Sequence, residues 1–161
     1  MLVPIFSVFL FYNHRQSPTQ ADVWNATKNW GPPTEEVLTV ERIEEDWLTI
    51  FRNDQVIMIG HLEQNWLGFW EVNSLATIYY PSSRDEHFTW SAKGSSPAYF
   101  FGQVLNNDIK QIKAETGNNS FENALFLNEG RFFYLKSEGL VYPVNIQGLS
   151  ESGEIIYSTK K

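Results

Sequence analysis

Cysteine is absent from the 161 residues. That excludes disulfide staples, thiolate metal sites, a cysteine nucleophile and a lipidated cysteine anchor. It does not fix the compartment, since cysteine-free chains serve in the cytosol and on the outer face of bacteria that do not rely on disulfides. Basic residues are also few. Twelve Lys and Arg stand against 19 Asp and Glu, for a net charge of −7. Nucleic acid demands a basic face, so it is not an expected partner. The folded part is equally unsuited to docking on anionic lipid through charge.

The motifs of the common enzyme classes are missing too. There is no Gly-x-Ser-x-Gly elbow, no GxxxxGK[ST] or GxGxxG phosphate loop and no HExxH metal pair. Asn106-Asn107-Asp108 opens like a calcium loop, but the twelve-residue ligand pattern does not follow. The acidic pairs Glu35-Glu36, Glu44-Glu45 and Asp85-Glu86 are sequence neighbours and fit acidic loops better than a glycosidase pair. The histidines are His14, His61 and His87, and only Asp85-Glu86-His87 is a compact cluster. A hydrolase using His61 or His87 as base is therefore the weakest of three functional readings, because no nucleophile can be named for either. No cofactor and no metal are expected.

Long hydrophobic runs are scarce, with one exception at the start. Met1 to Tyr12, MLVPIFSVFLFY, is apolar apart from Pro4 and Ser7, and His14 and Arg15 follow. Spanning a bilayer takes about 20 apolar residues, so this run is short. No basic stretch precedes it, as a secretory signal would require. The reading adopted is residues 1–16 as an anchor or signal remnant whose basic flank lies upstream, with membrane contact through residues 1–12.

What the chain does have is aromatic residues, 16% of the total within 42% hydrophobic. Aromatics favour strands and dominate β cores. Ser17 as N-cap, Pro18 at the first helical position and Gly31-Pro32-Pro33 as a stop predict one short helix over 18–29 within a linker over 17–34, with Trp24 packed on the sheet. From residue 35 onward strand patterns take over. Trp47, Thr49 and Phe51 alternate with Leu48 and Ile50. Gln55 to Glu63 is apolar on both faces, which places it centrally, and Gly60 predicts a bulge or a close backbone approach. Polar breaks at Asn53-Asp54 and Gln64-Asn65 end these runs. Trp66 to Val72 reads as a third strand with Trp66, Gly68 and Trp70 on one face, then a turn at Asn73-Ser74 and a fourth strand over Ala76 to Tyr80.

Pro81 to Pro97 is a long polar connection with a short strand over His87 to Ser91. Ala98 to Leu105, Ile109 to Glu115, Asn123 to Leu127, Arg131 to Lys136, a strand alternating Tyr142, Val144 and Ile146, and Glu154 to Ser158 follow. Pro143 argues for an edge position. Asn128-Glu129-Gly130 marks a hairpin. The expected fold is mainly β, an antiparallel sandwich or barrel-like domain over 35–161 with one short N-terminal helix after the apolar leader. Two similar halves over 35–80 and 97–158 are compatible with the spacing.

With no enzyme motif, the first functional reading is a non-enzymatic binding or regulatory module. The second is a small-ligand or glycan-binding barrel in which Trp66, Trp70, Tyr79, Tyr80 and Trp90 form a stacking surface. The leader with its tether, the phrase NWLGFW at Asn65–Trp70 and the ending VYPVNIQGLSESGEIIY at Val141–Tyr157 resemble small membrane-anchored extracytoplasmic proteins of Bacillus-type Gram-positive bacteria. The resemblance spans about half the chain and departs from that group at the front, where the basic flank is missing. It implies an extracytoplasmic β domain at the cell envelope, with a protein or glycan partner there, and it carries over no catalytic residues.

Overall fold

The structure, a computed structural model, describes residues 2–82, 86–94, 96–117, 120–139 and 143–160, with the backbone alone for 2–6 and 9. The protein is mainly β, in three antiparallel four-stranded sheets, and the sheets do not close into a barrel. The chain divides into two compact units, Met1–Leu75 and Ala76–Lys161.

Two helices open the first unit. The apolar leader is itself helical, α1 (Leu2–Asn13), so the expectation of a single helix is corrected. Its Pro4 lies in the first turn, where a missing N–H costs nothing. The second helix, α2 (Gln20–Thr27), is shorter than 18–29. Its cap is Thr19, not Ser17. The Asp22 backbone N–H donates to the Thr19 hydroxyl oxygen, while the Asp22 carboxylate accepts from the Thr19 N–H at 2.8 Å and its hydroxyl at 2.6 Å. This reciprocal capping box satisfies donors that a helix start leaves open. Starting at residue 20 also sets the buried face, which carries Val23 and Thr27 one turn apart. Trp24 lies about 100° further round the helix and is 43% exposed, so it does not pack on the sheet as expected.

The first sheet is a meander in the order β1 (Glu36–Ile43), β2 (Asp46–Arg52), β3 (Val56–Gln64), β4 (Trp70–Tyr79). β3 is central, as its two apolar faces require. Met58 and Leu62 on one face and Ile57 and Ile59 on the other are all buried. Phe51, Met58 and Leu62 meet Val23 of α2, with Trp30, Trp47 and Trp70 packed around them. Gly60 pairs in regular register with Thr49, so it is no bulge. A Cβ there would lie 2.6 Å from the Val72 side chain, so the glycine serves a close approach. Both hairpins around β3 are closed by asparagine. Asn53 Oδ1 accepts from the N–H groups of Gln55 and Val56, and Asn65 Oδ1 from those of Leu67 and Phe69.

The second hairpin overturns the expected third and fourth strands. Residues 65–69 form a turn, with Asn65 N–H donating to the Phe69 carbonyl and Gly68 at φ +82°. Asn73 and Ser74 then lie inside one continuous strand, β4, which carries the chain into the second unit. Trp66 and Trp70 therefore do not share a strand face.

The second unit is a sandwich. One sheet runs β5 (Phe88–Lys93), β6 (Ala98–Val104), β10 (Phe132–Ser137), β9 (Leu125–Leu127). The other runs β12 (Ile155–Ser158), β11 (Ile146–Leu149), β7 (Gln111–Glu115), β8 (Phe121–Asn123). Phe88, Phe100, Phe133 and Leu135 of the first meet Ile112, Ala114 and Ile146 of the second. Burying each large side chain of this kind contributes about 1.5–3 kcal/mol. Gly102 makes room for the Phe133 ring, which a Cβ would approach to 2.3 Å.

The expected strand Asn123–Leu127 is two strands. The chain changes sheet at Ala124, whose N–H still donates to Ile112 at 2.9 Å. β11 lies between β12 and β7, so the edge position argued from Pro143 is corrected; Pro143 precedes the strand. Tyr142, part of that expected strand, lies outside the described residues.

Candidate functional site

The five aromatics expected to form a stacking surface are divided between the two units. Trp66 and Trp70 belong to the first, Tyr79, Tyr80 and Trp90 to the second. Trp66 stands on the β3–β4 turn and is 74% exposed. Trp70 begins β4 and packs edge-on to Trp47 at 6.5 Å in the core under α2. Tyr79 is 75% exposed at the end of β4, and Tyr80 follows it at 37%. Trp90 shares the inward side of β5 with Phe88 and Ala92, at the sheet edge, and is 36% exposed.

The histidines resolve into structural settings. His87 Nδ1 lies 3.1 Å from the Asn106 amide nitrogen, and its ring stacks on Tyr157 at 4.8 Å. This ties β5 to β12. Asp85 lies outside the described residues, and the Glu86 carboxylate accepts from the Ser82 N–H and hydroxyl instead of reaching His87. His61 sits on β3 with Asp46 Oδ1 3.3 Å from Nε2 and Glu63 Oε1 3.2 Å from Nδ1. A carboxylate within reach is one element of a catalytic base. Here, however, carboxylates take both ring nitrogens, so neither nitrogen is directed at a hydroxyl or thiol. They also lie on opposite sides of the ring and do not converge on one point. Among the described residues no group of three His, Cys, Asp or Glu could hold a metal ion.

The second unit carries a groove of roughly 650 Å³ where the β6–β7 and β9–β10 connections meet. Val104, Leu105, Ile109 and Phe126 supply its apolar walls, and Lys110 and Arg131 its cationic groups. The β9–β10 turn beside it has three successive left-handed residues, Asn128, Glu129 and Gly130. The sequence marks both turns but gives no sign that they meet.

The first unit has exposed apolar residues elsewhere, at the β3–β4 turn and on α1. Phe69 is 53% exposed beside Trp66. The end of α1 is fastened to this turn across some fifty residues of sequence. Gln64 Nε2 donates to the Asn13 carbonyl at 2.9 Å and to the Gly68 carbonyl at 3.2 Å. Asn13 Nδ2 donates to the Leu67 carbonyl at 3.3 Å, and His14 Nε2 lies 3.3 Å from the Trp66 carbonyl. Gly68 is essential to the fit, since a Cβ there would lie 2.6 Å from that of Asn13. On α1, Val8, Phe11 and Tyr12 are exposed, and the Arg15 guanidinium caps the Phe11 ring at 4.0 Å. The helix is about 18 Å long at 1.5 Å per residue, against a hydrocarbon core of about 30 Å. Among the described residues no helix is long and apolar enough to cross a membrane.

Nothing in the sequence announces this joint, because its contacts are made by Asn13, His14 and Gln64, residues with no motif. Comparison with protein-family models, with curated proteins and with solved structures finds no match.

Proposed function

We propose that this chain is a non-enzymatic binding or regulatory module held at the cell envelope, with α1 in contact with the membrane and the β units on the extracytoplasmic side. The observation that carries the membrane contact is the pairing of an apolar helix with exposed Val8, Phe11 and Tyr12 to a polar joint at its C-terminal end. A helix destined for a protein core buries its apolar residues, whereas one destined for lipid leaves them out. The side of the membrane rests on the resemblance to extracytoplasmic proteins of Gram-positive bacteria. The binding role follows from a β scaffold with a partly apolar groove and from histidines engaged in structural contacts.

Fractionation of cells making the full-length chain is the test. The protein is expected in the membrane fraction and open to protease added outside intact protoplasts. Recovery in the soluble cytosolic fraction overturns the reading.

A further inference from the structure

The groove of the second unit has walls that are already tied together. The Val104 N–H donates to the Arg131 carbonyl at 2.9 Å, which joins the β6–β7 connection to the β9–β10 turn. The Lys110 N–H donates to the Leu149 carbonyl at 2.8 Å, and Ile109 is buried in the sandwich core. A space of roughly 650 Å³ lies within the range of about 300–1,000 Å³ usual for small-ligand sites. Three charged side chains line it, Lys110, Glu129 and Arg131. Among the described residues none of the three makes an ion pair or a side-chain hydrogen bond. That is unusual company in this chain. Acidic groups outnumber basic ones by 19 to 12, and Arg52 and Lys160 each have a carboxylate within reach. Glu129 stands two residues from Arg131, yet its place at φ 56° in the turn leaves the guanidinium unpaired.

We propose that this groove binds a small organic monocarboxylate with an apolar body, its carboxylate on Arg131 and its body on Phe126 and Leu105. This rests on the binding role given to the groove above and deepens it by naming the ligand class. Charge complementarity selects the head. Two cations against one carboxylate leave a surplus of one positive charge, in a chain whose net charge is −7. Arg131 is the better anchor of the two. Its planar guanidinium meets a carboxylate through two parallel hydrogen bonds, which an ammonium cannot do. Lys110 also borders a shallower depression with Asp108 and Glu151, so part of its charge is spent there. Glu129 selects against a second negative charge. A phosphate carries nearly two charges at neutral pH and would be repelled by it more than a carboxylate. The apolar walls select the body. Val104, Leu105, Ile109 and Phe126 offer no hydrogen-bonding side chain, so a sugar would leave its hydroxyls unpaired against them.

The test titrates the full-length chain with 4-phenylbutyrate, its neutral counterpart 4-phenylbutan-1-ol, acetate and inorganic phosphate, read by amide shifts in NMR. Phenylbutyrate is expected to bind in the roughly millimolar range, the scale for so small a body, with shifts at residues 103–110 and 126–131. The alcohol should bind roughly tenfold more weakly, as it lacks the charge that Arg131 meets. Acetate, with no apolar body, should give no saturable shift there, and phosphate should not displace phenylbutyrate. Arg131→Gln is expected to weaken phenylbutyrate roughly tenfold and leave the alcohol unchanged. Lys110→Gln should weaken it less, and Glu129→Gln should tighten it. All three side chains are exposed, so unfolding temperatures should stay as in wild type. If the alcohol binds as well as the acid and Arg131→Gln changes neither, the groove takes apolar ligands of any charge; the binding role stands and this inference falls. If phosphate displaces phenylbutyrate, or Glu129→Gln weakens it, the ligand class is wrong. If neither acid nor alcohol shifts the groove residues, the groove is no ligand site. The binding role then falls with this inference, while the envelope placement keeps its own test.

Discussion

The two units bury their cores against different covers. In the first, Phe51, Met58 and Leu62 of one sheet face an eight-residue helix that offers only Val23 and Thr27 as buried side chains. Three indole rings, Trp30, Trp47 and Trp70, fill in around it. In the second, Phe88, Phe100 and Phe133 face a whole second sheet, with Ile112, Ala114 and Ile146 opposite. A sheet supplies a continuous apolar surface with alternate residues inward along every strand. A two-turn helix supplies a single stripe, so its unit needs large aromatics to finish the job. The surface features follow the same division. The helix-covered unit carries the joint to α1 and the exposed turn, while the sandwich carries a groove at the end where its connections converge.

The sharpest way to strain this comparison is to open the sandwich. Phe133 is fully buried, edge-on to Phe88 at 5.9 Å, and fits only because Gly102 leaves room for its ring. Phe133→Ala removes that ring from between two sheets that cannot both collapse onto the gap. The expected cost is about 3–5 kcal/mol, the range for a buried Phe. It is measured by urea denaturation, with hydrogen exchange locating the loss in β6, β10 and β11. A cost below about 1 kcal/mol, the scale of an ordinary tolerated substitution, would mean that the sandwich interior is looser than its packing implies.

The sequence carries the regular part of this picture and little of the joints. β2 and β3 are legible because their side chains alternate, and β3 is legible as central because Met58 and Ile59 point to opposite faces and both are apolar. The polar breaks at Asn53 and Asn65 are legible too, and each proves to be an asparagine folding its side chain back onto the backbone. Trp66 to Val72 misleads because aromatic density is read as strand. The counter-signal was Asn65 followed three residues later by Gly68, which marks a turn with a left-handed position. The switch of sheets at Ala124 leaves no local trace, since Leu125, Phe126 and Leu127 suit either sheet. As for the site, the leader is plainly apolar, yet its docking depends on single polar side chains fifty residues apart. Whether each Trp is core or surface is equally hidden. Trp70 and Trp66 are four residues apart, and one packs on Trp47 while the other stands in solvent.

A smaller effect is expected from loosening the first unit at its joint. Gly68 combines φ +82° with a contact to the backbone of Asn13 and His14. Gly68→Ala adds a side chain in a conformation that costs an L-residue roughly 1–2 kcal/mol. The Asn13 end of α1 must also move away. Hydrogen exchange is expected to rise at His14 and through residues 65–69 while β6 and β10 stay protected. Exchange that rises evenly across the chain would remove the distinction between a local joint and a cooperative core.

The smallest effect is also the most direct probe of the helix as a cover. Thr19 makes the capping box of α2 with Asp22 and lies exposed, outside the core itself. Thr19→Ala therefore changes no packing; it withdraws the acceptor for the Asp22 N–H and frees the Asp22 carboxylate from one of its two donors. Loss of a Thr cap costs about 1 kcal/mol. In a long helix that loss frays one end and leaves the rest in place. In α2 the first turn is half the helix, and Val23 sits at its close, so fraying reaches the residue that covers Phe51 and Leu62. The expected outcome is a modest fall in stability accompanied by a disproportionate rise in exchange at β2 and β3. Thr19→Ser, which keeps the acceptor, should restore both. If Thr19→Ala leaves β2 and β3 protected, the indole rings of Trp30, Trp47 and Trp70 suffice as the cover, and α2 is secondary to them.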